Sequence, residues 1–276
     1  MCEESGMTVR QSWNGHSSMP GLFWRSMARG IEASRQRLKH SAIVTKLPLI
    51  RYIYLFEYPK AIEVPELGIA FIPTPKVANR SMKVAIARHV GMQWQGDIHQ
   101  APWQFTPLAL LRHNDYFRFG FVRNPLDRLL SCYAQKIVYY QRQLGMPSLL
   151  WRYGNMFDKD MSFAEFVTAV ARIPDRLSDI HFRSQHTFFY HRGQLMVDFV
   201  GHFEQLQDDW HKLQAGHELP ELPHENRSRH ADYRDAYTPE LARLAAQRYA
   251  KDIELFGYAD AVDALTGKQG NHPGRA

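Results

Sequence analysis

The chain has 276 residues, and its 34 lysines and arginines outnumber its 28 acidic residues, for a formal charge of +6. A content of 45% apolar and 13% aromatic residues is enough to build a sizeable core, which excludes general disorder. Two cysteines exclude a disulfide framework and a metal site built from several cysteines, and they favour a reducing compartment.

The excess positive charge lies near the amino terminus. Residues 1–19 are rich in Ser, Gly and Asn and predict a disordered lead, and residues 20–64 predict a basic helical extension. Within it, residues 22–51 contain seven lysines and arginines and one acid, which equals the net charge of the chain. This segment is either a surface helix packed on the main domain or a contact, through residues 20–51, with a membrane surface or an anionic polymer. Since no signal peptide or membrane span is evident, we expect a cytoplasmic location, with peripheral membrane contact as an option.

Segments with strand and helix patterns alternate along the rest of the chain. Residues 68–72 form an apolar run typical of a buried strand, and helical spacing follows over residues 81–90. The same unit recurs where residues 116–122 precede Pro125, a residue favoured in the first turn of a helix. A capping box at Ser162, a strand over residues 196–200 and a helix from Thr238 to near Gly257 follow. The alternation predicts an α/β fold in three layers, with helices on both faces of a central parallel sheet.

The first loop between a predicted strand and its helix, residues 73–81 (PTPKVANRS), has the character of an anion site. Ligands of open parallel sheets bind at such loops, and the N–H groups at the start of a helix favour negative charge. Lys76 can reach over the anion as a point charge, and the Ser81 hydroxyl can cap the helix and donate to the anion. The loop predicts a phosphate or sulfate, although it lacks the pattern G-x-x-x-x-G-K-[ST] of nucleotide triphosphatases. The alternative is an ordinary capped loop with a solvated lysine.

The second loop, residues 121–133 (FVRNPLDRLLSCY), adds a guanidinium at the end of the next strand. Arg123 can bind a phosphate through two parallel hydrogen bonds, and the Ser131 hydroxyl can add a donor to the same group. Arg128 shares a helix face with Ser131 because the two lie three residues apart. We interpret Asp127 as a surface charge, and the same interpretation is the alternative for Arg128.

Together, the two loops resemble those of the sulfotransferases that use 3′-phosphoadenosine 5′-phosphosulfate (PAPS). The likeness is to the carbohydrate branch of chondroitin and HNK-1 type and its bacterial relatives, and it covers residues 65–260. Four later segments also match family patterns: residues 181–185 (HFRSQ), 198–204 (DFVGHFE), 224–228 (HENRS) and 249–258 (YAKDIELFGY).

This resemblance implies a P-loop-like three-layer fold, a sulfotransferase domain over residues 65–260 and a flexible tail over residues 261–276. It implies that the first loop binds the 5′-phosphosulfate and that Arg123 and Ser131 bind the 3′-phosphate. Asn79 and Arg80 depart from the Gly-Thr or Cys-Thr that relatives often carry, which leaves their own contacts open. The animal enzymes' lumenal cysteines and membrane anchor are missing, which favours a cytosolic, bacterial-type member. The donor-binding residues of the first loop are then Lys76, Val77, Ala78, Asn79, Arg80 and Ser81.

The implied reaction is sulfuryl transfer from PAPS to a hydroxyl of a carbohydrate or glycoconjugate, by in-line displacement and without a metal. Lys76 would stabilise charge on the leaving phosphate oxygen, and a histidine would take the proton of the hydroxyl. His99 is the first candidate for this base, because relatives commonly carry a catalytic histidine between the two loops, and His181 is the alternative. His181 and Arg183 are also candidates for contact with the acceptor.

Two other classes of function stay open. One is a P-loop-like kinase that uses ATP, although the Walker lysine and hydroxyl are missing. The other is a non-catalytic protein that binds acidic glycan or nucleic acid, although no nucleic-acid recognition motif is present. A metal site is not expected, because His181, His186 and His191 recur every five residues and do not share one helix face.

Overall fold

The computed structural model describes residues 59–108, 115–139, 149, 153, 156–223 and 232–267. The predicted lead over residues 1–19 and the predicted membrane contact through residues 20–51 lie outside these residues. Both therefore stay predictions.

The described part of the chain alternates short strands with helices. The strands are β1 (Lys60–Val64), β2 (Ile69–Ile72), β3 (Gln104–Pro107), β4 (Phe117–Val122), β5 (Tyr190–His191), β6 (Gln194–Leu195) and β7 (Phe199–His202). The α-helices are α1 (Asn79–His89), α2 (Pro125–Tyr133), α3 (Phe163–Ala171), α4 (His186–Phe189), α5 (Leu206–Gln214), α6 (Pro239–Arg248), α7 (Ala250–Phe256) and α8 (Ala259–Thr266). A π-helical segment, Ala134–Tyr139, continues α2.

The central sheet has five strands in the order β3-β1-β2-β4-β7. Strands β2, β4 and β7 are parallel, as predicted, whereas β1 is antiparallel to both of its neighbours. The mixed character arises because a single turn, Pro65–Leu67 with Gly68 at φ 61°, joins β1 to β2, and so short a connection permits only antiparallel pairing. Residues 60–64 are therefore part of the sheet, contrary to the prediction that they belong to a helical extension.

The predicted helices are present, and several of their boundaries are corrected: α1 begins at Asn79, two residues before the predicted start. The Ser162 side chain and Glu165 form the predicted capping box, and α2 begins at Pro125. The helix predicted from Thr238 to Gly257 is two helices, α6 and α7, which meet at the buried Tyr249. Residues 261–266, predicted as part of a flexible tail, belong to α8.

The core shows why the fold has three layers. Phe71 of β2 and Trp210 of α5 belong to a cluster that also contains residues of α1. The next residue of β2, Ile72, belongs to another cluster with Phe189 of α4 and Phe256 of α7. Since successive side chains of a strand point to opposite faces, helices cover both faces of the sheet, as predicted. A third cluster packs α2, α3 and α6 against one another.

Candidate functional site

The two predicted loops lie side by side at the carboxyl ends of the parallel strands β2 and β4. Arg123 donates from Nη1 to the carbonyl oxygen of Lys76 over 3.1 Å, and Arg128 donates from Nε to that of Pro75 over 3.0 Å. The sheet register and these two bonds bring together the loops that the sequence analysis singled out.

The first loop has a strained backbone directly before α1. Lys76 and Ala78 adopt left-handed conformations, with φ of 73° and 57°, although neither is glycine. Such strain costs on the order of 1–3 kcal/mol per residue and is concentrated at functional sites. The first helical hydrogen bond of α1 runs from the Met82 N–H to the Ala78 carbonyl, so the N–H groups of Asn79 and Arg80 precede the ladder of helical hydrogen bonds. These donors and the helix dipole favour an anion in front of α1.

The side chains of this loop differ from the prediction in detail. Ser81 is the third residue of α1 and is not its cap, because the helix begins after Ala78. Val77 is fully buried in the core, so only its backbone can contact a ligand. Arg80 is largely exposed and pairs with Asp97 over 3.4 Å. Among the described residues, the buried Asn79 Oδ1 has no hydrogen-bond partner, and such an atom is normally completed by a ligand or water.

Lys76 is a cation surrounded by other cations. Its Nζ donates to Oε1 of Gln135 over 3.2 Å. Burial and the positive charges of Arg123, Lys136 and Arg128 lower the pKa of Lys76 to about 8. A group of positive charges that repel one another in a partly desolvated place is stabilised by a bound anion.

Arg123 has the predicted position but an additional partner. Its Nε and Nη2 atoms both contact Oδ2 of Asp127 at 2.7 Å, and its guanidinium lies over the ring of Phe203 at 4.3 Å. Asp127 is mostly buried, with 14% of its side chain exposed, so the interpretation of Asp127 as a surface charge is wrong. Arg123 lies just before the N-cap Asn124, so its guanidinium reaches Asp127 in the first turn of α2.

Arg128 links the two loops to a third segment. It is 1% exposed, and it donates to the carbonyl oxygens of Pro75, Ile180 and Arg183 over 3.0, 2.9 and 2.8 Å. The alternative of a surface charge is therefore excluded. Ser131, one turn further along α2, is also buried.

His181 lies in that third segment and forms a pair with a carboxylate. Its Nδ1 is 2.6 Å from Oδ1 of Asp179, and 25% of its side chain is exposed. Burial lowers the pKa of His181 against the opposing effect of Asp179, and the charges of Lys136 and Lys76 lower it further. The ring is therefore neutral at neutral pH, and hydrogen bonding to Asp179 directs the Nδ1 proton toward the carboxylate.

His99 lies in a different environment. It belongs to the short helical turn Ile98–Gln100, and its Nδ1 is 3.3 Å from Nζ of Lys83. Desolvation and the Lys83 ammonium lower the pKa of His99 well below its usual range, and His181 is near enough to lower it further. The two candidate bases thus lie within electrostatic range of each other.

The other predicted acceptor contact is Arg183. Arg183 is buried, and its Nε and Nη2 donate to the carbonyl of Ser178 over 3.2 and 2.7 Å; its contact with the acceptor stays a prediction. Residues 224–228, one of the segments that match family patterns, lie outside the described residues.

Three polar residues, one from each of the segments 181–185, 198–204 and 249–258, hold the second loop in place through hydrogen bonds. Gln185 accepts from the Arg123 N–H over 2.9 Å and donates to the Arg123 carbonyl over 2.7 Å. Glu204 accepts from the Asn124 N–H over 2.6 Å. Asp252 is fully buried and accepts from the Gln185 N–H over 2.6 Å. The sequence reasoning noted these segments without a role for them, and their contacts explain how the loop keeps its shape.

Sequence reasoning missed the partners of the candidate bases. Asp179 lies only two residues before His181, and this spacing was the available signal. Lys83 and Gln135 gave no such signal, because only the folded chain brings them to His99 and Lys76. Within the described residues, no group of three or more metal-ligating side chains occurs.

The fold and the site define an α/β protein with a cluster of cationic side chains at the carboxyl ends of parallel strands. Comparison with protein families identifies it further: the model described as "Sulfotransferase family" matches residues 61–259. The chain belongs to the Sulfotransferase family, and the resemblance inferred from its loops is confirmed.

The chain is also similar to curated carbohydrate sulfotransferases. It is 32% identical to carbohydrate sulfotransferase 14 of Homo sapiens, over 53% of this chain and 43% of the relative. Its identity to carbohydrate sulfotransferase 14 of Danio rerio is 31%, over 48% and 37% of the two chains. Its identity to carbohydrate sulfotransferase 10 of Xenopus laevis is 26%, over 54% and 49%. The chain thus spans less than half the length of these relatives, and no solved structure matches it.

The predicted cytoplasmic location is wrong. The prediction set this chain apart from the animal enzymes on account of their lumenal cysteines and membrane anchor, yet the relatives found are carbohydrate sulfotransferases of vertebrates. The aligned region covers only 37% to 49% of these relatives. The cysteines and the anchor of the relatives therefore need not lie in the region that this chain matches. None of the helices in the described ranges has the length and apolar character needed to cross a membrane.

Proposed function

We propose that this protein transfers a sulfuryl group from PAPS to a hydroxyl of a carbohydrate. The observation that carries the proposal is the group of cations around Lys76 in front of the amino terminus of α1. Membership of the Sulfotransferase family supports the reaction class, and the names of the relatives support a carbohydrate acceptor. The catalytic unit corresponds to the described elements from β1 to α8.

The residues of the two loops suit the two anionic ends of PAPS. The N–H groups of Asn79 and Arg80 and the charge of Lys76 suit a phosphosulfate, which presents several acceptor oxygens. The Arg123 guanidinium and the Ser131 hydroxyl belong to the β4–α2 unit and suit a separate phosphate. Because Arg123 donates to the Lys76 carbonyl, the two subsites are mechanically linked.

Lys76 is the group that stabilises the departing charge in this proposal. As the bond between sulfur and the bridging oxygen breaks, negative charge develops on the leaving phosphate, and an ammonium aimed at that oxygen stabilises it more in the transition state than before. The pKa of about 8 keeps Lys76 mostly protonated at neutral pH, and a bound anion raises this pKa further.

His181 is the better-supported general base of the two candidates. Its Nδ1 interacts with Asp179 at 2.6 Å, an arrangement that leaves Nε2 without a proton and stabilises the imidazolium that forms. The acceptor hydroxyl oxygen bonds to sulfur, its proton goes to Nε2 of His181, and adenosine 3′,5′-bisphosphate leaves. His99 has a lysine at its Nδ1 where His181 has a carboxylate, so it lacks that support.

Calorimetry with adenosine 3′,5′-bisphosphate tests the donor site. We expect one binding site per chain, and Arg123→Ala should weaken binding by about tenfold or more, since one charge-assisted contact is lost. Lys251→Ala, which removes an exposed cation of α7, is the control and should bind like the wild type.

Two outcomes would contradict the proposal. The absence of nucleotide binding by the folded protein would remove the donor site altogether. A transfer activity that uses ATP and requires magnesium would instead favour the kinase alternative.

A further inference from the structure

Lys83 is a buried cation whose role the proposed reaction leaves unexplained. It lies on α1, one turn beyond the anion-binding end, and it is 4% exposed. Its ammonium lies 5.8 Å from the ring centre of Trp103 and 5.7 Å from that of Phe105. Burial and the charge of Lys60 lower the pKa of Lys83 to about 8, so it remains mostly an ammonium at neutral pH. Burying a lysine ammonium is unfavourable unless the charge is paired or hydrogen-bonded. The contacts of this ammonium therefore indicate what it does.

The polar contact of the Lys83 ammonium is with a histidine ring. Nζ lies 3.3 Å from Nδ1 of His99. An ammonium has three donors and no acceptor, so the ring nitrogen must accept this hydrogen bond. A neutral imidazole carries one proton, and when Nδ1 accepts, that proton resides on Nε2.

The turn that carries His99 is held firmly against α1. Asp97 caps the turn by accepting from the His99 N–H over 3.1 Å, and it also pairs with Arg80 of α1. The indole N–H of Trp103 donates to the Ile98 carbonyl over 2.8 Å. These contacts hold the backbone of the turn, and the hydrogen bond with Lys83 orients the ring of His99, which keeps an exposed surface.

We infer that Lys83 is a positioning residue that keeps His99 in the Nε2–H tautomer, so that His99 donates a hydrogen bond to the reacting oxygens and does not act as the base. This inference rests on the proposed function for the identity of those oxygens, which belong to the transferred sulfuryl group or the acceptor hydroxyl. The charged groups that act on the ring are Lys83, Asp97, Arg80 and His181. Lys83 and Arg80 are cationic at neutral pH, and they disfavour an imidazolium at His99 against the opposing charge of Asp97.

The inference assigns different tasks to the two histidines of the site. Asp179 directs the proton of His181 to Nδ1 and leaves Nε2 basic, whereas Lys83 leaves His99 with a proton on Nε2. One ring then takes a proton and the other donates a hydrogen bond. A donor to a developing charge contributes to the rate without changing its own protonation state.

Nitrogen NMR of the full-length protein tests the tautomer without any substrate. At neutral pH, the His99 ring of the wild type should show a proton on Nε2 and none on Nδ1. Lys83→Met, which preserves side-chain length but cannot donate, should give a mixture of tautomers and a higher His99 pKa. Lys83→Arg should restore the wild-type pattern, and Lys251→Met is the matched control on an exposed lysine. A wild-type proton on Nδ1, or an unchanged His99 spectrum in folded Lys83→Met, would overturn the inference.

Kinetics of His99 variants test the donor role. His99→Gln retains a side-chain N–H donor and should keep kcat within about tenfold of the wild type, whereas His99→Leu should lose about a hundredfold. If His99 were the base, both variants would lose a similar factor, on the order of 10²–10⁴.

Nucleotide binding separates this inference from the proposed function. Calorimetry with adenosine 3′,5′-bisphosphate should give the same affinity for the wild type and the His99 variants, because His99 contacts the reacting oxygens only. If the wild type binds no nucleotide, the proposed function fails, while the NMR result still decides the tautomer.

Discussion

Replacing Arg128 with lysine should destabilise the fold strongly although the charge is kept. The guanidinium donates to three carbonyl oxygens, those of Pro75, Ile180 and Arg183, at 2.8 to 3.0 Å. The three acceptors lie around a planar guanidinium, and a single lysine nitrogen cannot reach all of them. Two of the carbonyls should therefore lose their donor. Each buried polar group left without a partner costs about 1–3 kcal/mol, which predicts a loss of about 2–6 kcal/mol in the free energy of unfolding. This is a large share of the roughly 5–15 kcal/mol typical of a domain.

Urea denaturation followed by the fluorescence of the six tryptophans measures this loss. Arg243→Lys is the matched control, because 47% of the Arg243 side chain is exposed, and it should change the free energy of unfolding by less than about 1 kcal/mol. If Arg128→Lys also changes this free energy by less than about 1 kcal/mol, the reasoning from buried carbonyls is refuted.

Three further predictions concern the loops and the sheet. Asp127→Asn removes the negative charge beside Arg123, so calorimetry should show roughly tenfold tighter binding of adenosine 3′,5′-bisphosphate; weaker binding would show that the carboxylate is needed to orient the guanidinium. Because the pKa of Lys76 is lowered to about 8 and a bound anion raises it, affinity for this nucleotide should fall as the pH rises through about 8, and a flat profile up to about pH 9 would contradict the assignment. Gly201→Ala places a methyl group against the ring of Phe121 and should lower the free energy of unfolding by about 1–3 kcal/mol in urea denaturation, whereas no change would mean that the ring can move aside.

Much of the fold could be predicted from local patterns because those patterns carry the physics of the elements. The apolar runs over β2 and β4 and the proline at the start of α2 were visible, and each was found close to its expected place. The antiparallel β1 was missed because the charged Lys60 and Glu63 interrupt the apolar pattern of a strand of only five residues. The break between α6 and α7 was missed because the burial of Tyr249, whose hydroxyl donates to the Phe182 carbonyl over 2.6 Å, is a long-range contact.

The candidate site was predictable where one segment contains the relevant residues. Lys76 and Arg123 follow strands directly, and parallel strands bring such residues together. Asp127 was misread, although its spacing from Arg123 was a helical one, because an acid on an apparent surface face is usually solvated. The contact between Lys83 and His99 could not be predicted, since it joins α1 to a turn sixteen residues away.

The most direct measurement of the central claim is the transfer of radiolabelled sulfate from PAPS to carbohydrate acceptors by the full-length protein. The account predicts that the wild type transfers label to a carbohydrate hydroxyl without added metal, and that Lys76→Ala loses at least about a hundredfold in kcat. Wild-type rates in Lys76→Ala, or no transfer to any acceptor by a protein that binds adenosine 3′,5′-bisphosphate, would contradict it.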